Sequence, residues 1–120
     1  MNWQAQLAVM DRAIALSRVG GDAELLQEMA QLFLEEYPFQ LEAVRTAVQA
    51  GDPKALERSA HCLKGSISNF GAAEAQQAAF TLEMLGRKGD LLDAGNALTQ
   101  LETALQHLQP AMASLAHSAA

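Results

Sequence analysis

The segment "DPKALERSAHCLKGSISNFG", residues 52–71, decides how the rest of the chain is read. Asp52 can accept a hydrogen bond from the backbone of a first helical turn. Pro53, with its fixed φ and missing N–H, suits the first helical position. Leu56, Ala60, Leu63, Ile67 and Phe70 then recur at steps of three and four, the spacing of one helix face. Gly71 breaks the pattern. A helix over 53–70 with one apolar stripe must bury that stripe against other helices. One residue runs against this logic. Gly65 lies in the helix interior, where glycine costs about 1 kcal/mol relative to alanine, in a chain otherwise rich in alanine.

Outward from this segment, three Gly-Asp junctions divide the chain: Gly21-Asp22, Gly51-Asp52 and Gly89-Asp90. Each pairs a residue suited to ending a helix with one suited to capping the next. Asp11 caps a short helix through Arg18. Between 22 and 50 the stripe is Leu26, Met29, Phe33, Tyr37, Leu41, Val44 and Val48, with Pro38 expected to kink or split that helix. Between 73 and 88 it is Ala75, Ala78, Leu82 and Leu85. From 90 onward it is Leu91, Ala94, Leu98, Leu101, Leu105, Leu108, Met112 and Leu115, with Pro110 expected to bend the helix or end it early. Four long amphipathic segments with short connections predict an all-α fold, an antiparallel four-helix bundle with a short additional N-terminal helix. The domain is placed at residues 11–120, with residues 1–10 as a lead-in.

Composition agrees. The chain has 120 residues, enough for one domain with a real core; half are hydrophobic and only 5% aromatic, which favours helices over sheet. The net charge of −6 argues against a nucleic-acid partner, which calls for a basic surface. Cys62 is the only cysteine, so no intrachain disulfide can form. The start Met1-Asn2-Trp3 lacks a basic, apolar leader, and no apolar run is long enough to span a membrane. The expectation is a cytoplasmic domain with no membrane contact.

The helical wheel of 53–70 sets the candidate site. At about 100° per residue, His61 lies roughly 145° from the centre of the apolar arc and Gly65 roughly 175°. Lys64 and Ser68 sit beside them on the outer face. His61 should therefore be exposed, with Lys64 and Gly65 at i+3 and i+4. A side chain at 65 would crowd the imidazole; glycine leaves room for a large group, such as another protein's active site. A cation at Lys64 disfavours a second positive charge on the ring, keeping a neutral nitrogen as nucleophile, and can pair with phosphate oxygens.

These residues resemble the signature of histidine-containing phosphotransfer (HPt) domains: Ala60-His61-Cys62-Leu63-Lys64-Gly65-Ser66, then Gly71-Ala72. "DRAIALSRVGGD" looks like the family's entry segment, "ELLQEMAQLFLEEY" its first bundle helix, and "LEMLGRKGD" its hairpin after the histidine. The likeness covers about residues 11 to 115. It implies a phosphoryl relay in which His61 accepts phosphate from a receiver-domain aspartate, or from a sensor or hybrid histidine kinase. His61 then passes it to another response-regulator receiver. It further implies that Lys64 lies beside the phosphoryl group and that Gly65 admits the partner. Glu83 would hydrogen-bond the imidazole, with Arg87 one turn later. The ordinary alternative is a surface Glu83–Arg87 pair. Ile14, Cys62 and Ser68 are candidate docking residues, although Cys62 falls on the flank opposite Lys64 and reads better as filler. The chain needs no cofactor of its own; Mg²⁺ is expected on the receiver. A monomer is expected.

Two other readings differ in kind. A metal site would need ligands that converge, but His61 and Cys62 point about 100° apart on a helix, and His107 and His117 lie far along the chain. A helical interaction module without chemistry would have no reason to keep Gly65. No Walker or kinase motif is present, so autonomous kinase activity is not expected.

Overall fold

In the computed structural model, which describes residues 9–117, the chain forms α1 (Arg12–Arg18), α2 (Ala23–Ala50), α3 (Pro53–Ser68), α4 (Ala73–Lys88) and α5 (Ala94–Ala116). Most of the lead-in, residues 1–8, lies outside the described residues. The predicted caps form. Asp11, Asp22 and Asp52 each accept a hydrogen bond from the N–H three residues on, at 3.1, 3.1 and 3.2 Å. Gly51 ends α2 in the left-handed region, at φ 64°, and Asp52 starts α3 at once. So short a connection folds α3 back antiparallel on α2.

The third junction behaves differently. Gly89 ends α4 in the left-handed region, but the Asp90 carboxylate accepts from Leu92 N–H, two residues on. That local turn competes with a helical start. The last helix therefore begins at Ala94 and not at residue 90, and Leu92 is left 98% exposed. Neither proline ends its helix: α2 runs through Pro38 and α5 through Pro110. Each proline removes one backbone hydrogen bond. Buried residues on both sides keep each helix in phase: Phe33 and Leu41 around Pro38, Leu108 and Met112 around Pro110. Tertiary burial outweighs the local loss.

Packing closes a ring. α3 lies against α2 and α4, and α5 against α2 and α4, and among the described residues the backbones do not come close across either diagonal. This is the antiparallel four-helix bundle, 45 Å along its longest axis, close to the roughly 42 Å that the 28 residues of α2 span at about 1.5 Å each. Leu56, Ala60, Leu63, Ile67 and Phe70 of the α3 stripe are all buried. Phe70 meets Phe33 edge-on at 5.5 Å, and Phe33 stacks on Tyr37 at 5.1 Å. In α2, Met29, Tyr37 and Val48 are only half-buried, and Ala30 and Ala47 take core places beside Leu26 and Val44.

Two glycines set close approaches. A Cβ on Gly86, in α4, would lie 2.6 Å from Glu57 N and 2.7 Å from Pro53 O, so the backbones of α3 and α4 touch there. Gly71 has φ +61°, and a Cβ on it would lie 2.9 Å from Asp11 Cβ. That lets the start of α1 seat on the α3–α4 connection, where Asp11 N–H donates to Phe70 O at 3.1 Å. No helix among the described residues is long and apolar enough to cross a membrane.

Candidate functional site

The site is built on the outer face where α3 meets α4. The His61 side chain is 65% exposed, as its angular position on α3 requires. Across the seam, Glu83 of α4 is 2% exposed, the only buried charged residue among those described. Burying a carboxylate costs several kcal/mol unless it is paired, and here it is paired three times. Oε2 accepts from His61 Nδ1 at 2.9 Å and from Arg87 Nη2 at 3.2 Å. Oε1 lies 2.7 Å from Lys64 Nζ, close in distance but off hydrogen-bond alignment, so that contact acts as an ion pair.

Electrostatics follow from this arrangement. Burial pushes the Glu83 carboxyl up, but the Lys64 and His61 contacts together outweigh it and hold the carboxyl below its ordinary value. Glu83 is therefore ionised at neutral pH. An ionised carboxylate only accepts hydrogen bonds, so the proton of a neutral His61 ring is assigned to Nδ1. Nε2 keeps its lone pair and faces outward. The Arg87 guanidinium, raised mainly by its hydrogen bond to Glu57, joins the two acids: Nε reaches Glu57 Oε2 at 2.9 Å while Nη2 holds Glu83.

Each residue singled out in the sequence can now be placed. Lys64, 23% exposed, is committed to Glu83 and covered by Phe80, whose ring centroid lies 5.1 Å from Nζ. Gly65 faces open space: a Cβ there would meet nothing within 4 Å. The Glu83–His61 bond and the Glu83–Arg87 pair, posed as alternatives, coexist on one oxygen. Ser68 donates to Gly65 O at 2.8 Å. Cys62 is exposed on the flank toward α2, where Ser66, one turn on, accepts from Gln40 at 3.1 Å. Ile14 is 42% exposed beside Gly71, past the C-terminal end of α3 at Ser68.

Sequence reasoning missed Glu57, Phe80 and Gly86. Glu57 stands one turn before His61, a spacing that carries a signal. Phe80 and Gly86 carry none until α4 is docked. Among the described residues, no group of three or more His, Cys, Asp or Glu side chains is arranged to hold a metal ion.

Two exposed imidazoles are held by carboxylates, His61 by Glu83 and His107 by Glu74, but only the partner of His61 is buried. The Hpt domain family model matches residues 28–111, and the chain belongs to that family. Proteins of this family carry phosphoryl groups between histidine kinases and receiver domains and have no kinase activity of their own. Among solved structures, the chain is similar to histidine-containing phosphotransfer protein B (HptB) from Pseudomonas aeruginosa PAO1. The TM-score is 0.84 and the identity 24%, over 92% of this chain and 96% of that one, a likeness of fold. No curated protein sequence matches the chain.

Proposed function

We propose that His61 is the phosphoaccepting residue of a multistep phosphorelay. It takes a phosphoryl group from a receiver aspartate, or from a histidine kinase, and passes it to another receiver. The carrying observation is the 2.9 Å bond from His61 Nδ1 to a buried, ionised Glu83 on an otherwise exposed ring.

The chemistry runs as follows. The Nε2 lone pair attacks the phosphorus of an aspartyl phosphate. The N–P bond forms, the P–O bond to aspartate breaks, and the receiver recovers its carboxylate. The ring, still protonated on Nδ1, now bears positive charge next to Glu83. That carboxylate stabilises the charge and holds the ring in line. Because the N–P bond joins a cationic ring, the phosphoryl group leaves readily for the next aspartate. Lys64 and Arg87 keep Glu83 charged and oriented. Gly65 leaves the approach to Nε2 open. The receiver brings Mg²⁺.

The test is transfer itself. Incubate the protein with a ³²P-labelled, Mg²⁺-loaded phospho-receiver, beside His61→Gln. Label on wild type alone, labile to acid and stable to base, is expected. Absence of label on folded wild type across several receivers would leave a helical interaction module in its place.

A further inference from the structure

Three cations surround His61, and they are not equivalent. Lys64 is bound to Glu83 and lies against Phe80. Arg87 bridges Glu57 and Glu83. Arg58, exposed, has no ion pair or hydrogen bond among the described residues. A transferring phosphoryl group needs a cation that can reach it without uncovering another charge. Moving Lys64 would strip its ion-pair partner from a carboxylate whose side chain is 3% exposed, a costly step. Moving Arg58 uncovers nothing.

Arg58 stands one turn before His61 on the outer face of α3, at i−3, close enough for the two side chains to meet. The surface hollows agree. His61 shares one with Glu57, Arg58, Cys62, Glu83 and Arg87, and Lys64 lines a separate one with Phe80. A guanidinium also presents a planar fork that matches two phosphoryl oxygens.

From this we infer that Arg58 is the side chain that receives the phosphoryl oxygens while the group sits on His61 Nε2. The inference rests on the phosphocarrier reading above. It assigns Lys64 to holding Glu83 in place of contacting phosphate.

The experiment loads wild type, Arg58→Ala, Arg58→Lys and Lys64→Ala from a receiver phosphorylated with acetyl phosphate and Mg²⁺. It measures the transfer rate and then the ³¹P shift of the phosphohistidine against pH, with helicity checked by circular dichroism. A nearby cation favours the phosphoryl dianion. Arg58→Ala should raise the ³¹P titration midpoint by about half a unit or more and slow transfer about tenfold. Arg58→Lys should recover part of both, and Lys64→Ala should move the midpoint less than Arg58→Ala does. An unmoved midpoint in Arg58→Ala, even with slower transfer, overturns the assignment, since docking alone would slow transfer. So does a midpoint that moves at least as much in Lys64→Ala as in Arg58→Ala. No label on wild type overturns the phosphocarrier reading itself, and this inference falls with it.

Discussion

Two glycines inside helices should respond to alanine in opposite directions. At Gly86, an added Cβ meets backbone at 2.6 and 2.7 Å, where ordinary contact begins at 3.4 Å. The neighbours are Glu57 N and Pro53 O, main-chain atoms that cannot rotate aside. α3 and α4 must part by roughly 0.8 Å at that point. Overpacking costs about 1–3 kcal/mol, and a rigid neighbour places this case at the upper end. Alanine returns about 1 kcal/mol of helix propensity. The net expectation for Gly86→Ala is a loss of about 2 kcal/mol. At Gly65 nothing lies within 4 Å and φ is helical. Gly65→Ala should therefore gain about 0.5–1 kcal/mol. Urea unfolding followed by circular dichroism reads both. With an m-value of about 1.5–2 kcal/mol/M, the midpoints should fall by about 1 M and rise by about 0.3–0.5 M respectively. A Gly86→Ala protein as stable as wild type would refute the close backbone approach. A Gly65→Ala protein less stable than wild type would refute the claim that this glycine serves access. Since Glu57 and Glu83 flank the α3–α4 seam, Gly86→Ala should also slow phosphotransfer, whereas Gly65→Leu should slow transfer without loss of stability.

The Glu83 carboxyl is held below its ordinary value, so its ionised form stabilises the fold. That contribution is complete above the unfolded-state value near 4.5 and is lost as pH falls through the folded value. Thermal melts from pH 7 to pH 3 should therefore drop less steeply for Glu83→Gln than for wild type; parallel curves would contradict the pairing. Asp52→Ala removes the cap on Ala55 N–H and should cost about 1 kcal/mol in the same urea assay, with Asp52→Asn restoring most of it. Gly71→Ala forces a Cβ to within 2.9 Å of Asp11 Cβ, in a left-handed backbone. Hydrogen exchange should show faster exchange across α1 while the α3 core keeps its protection.

Much of the fold was legible in the chain because it rests on short-range chemistry. Asp11, Asp22 and Asp52 cap helices since each needs only its own next turn. The α3 stripe was read without error because 3.6-residue periodicity places Leu56 to Phe70 on one face whatever that face meets. The exposure of His61 and the openness at Gly65 follow from the same rotation. Where the reading failed, a local rule met a competitor. Asp90 turned onto Leu92 before a helix could start; of the kink or split expected at Pro38, the split does not occur, because packing on both sides carries α2 past it.

The site divides along the same line. By itself, the sequence determined an amphipathic α3, an outward imidazole, and a glycine and a lysine one turn beyond it. Tertiary structure alone decided which α4 face meets that turn. Glu83 and Arg87 are one turn apart in any helix, but only the docked α4 buries Glu83 and brings it to His61, Lys64 and Arg87 together. That docking depends on Gly86, which lets the two backbones touch; the small Ala75 and Ala79 are buried on the same face of α4. The physical reason is one of range. Caps and periodicity act within a turn or two. The phase and distance between helices depend on side-chain volumes summed along a whole seam, and those are settled only when the helices pack.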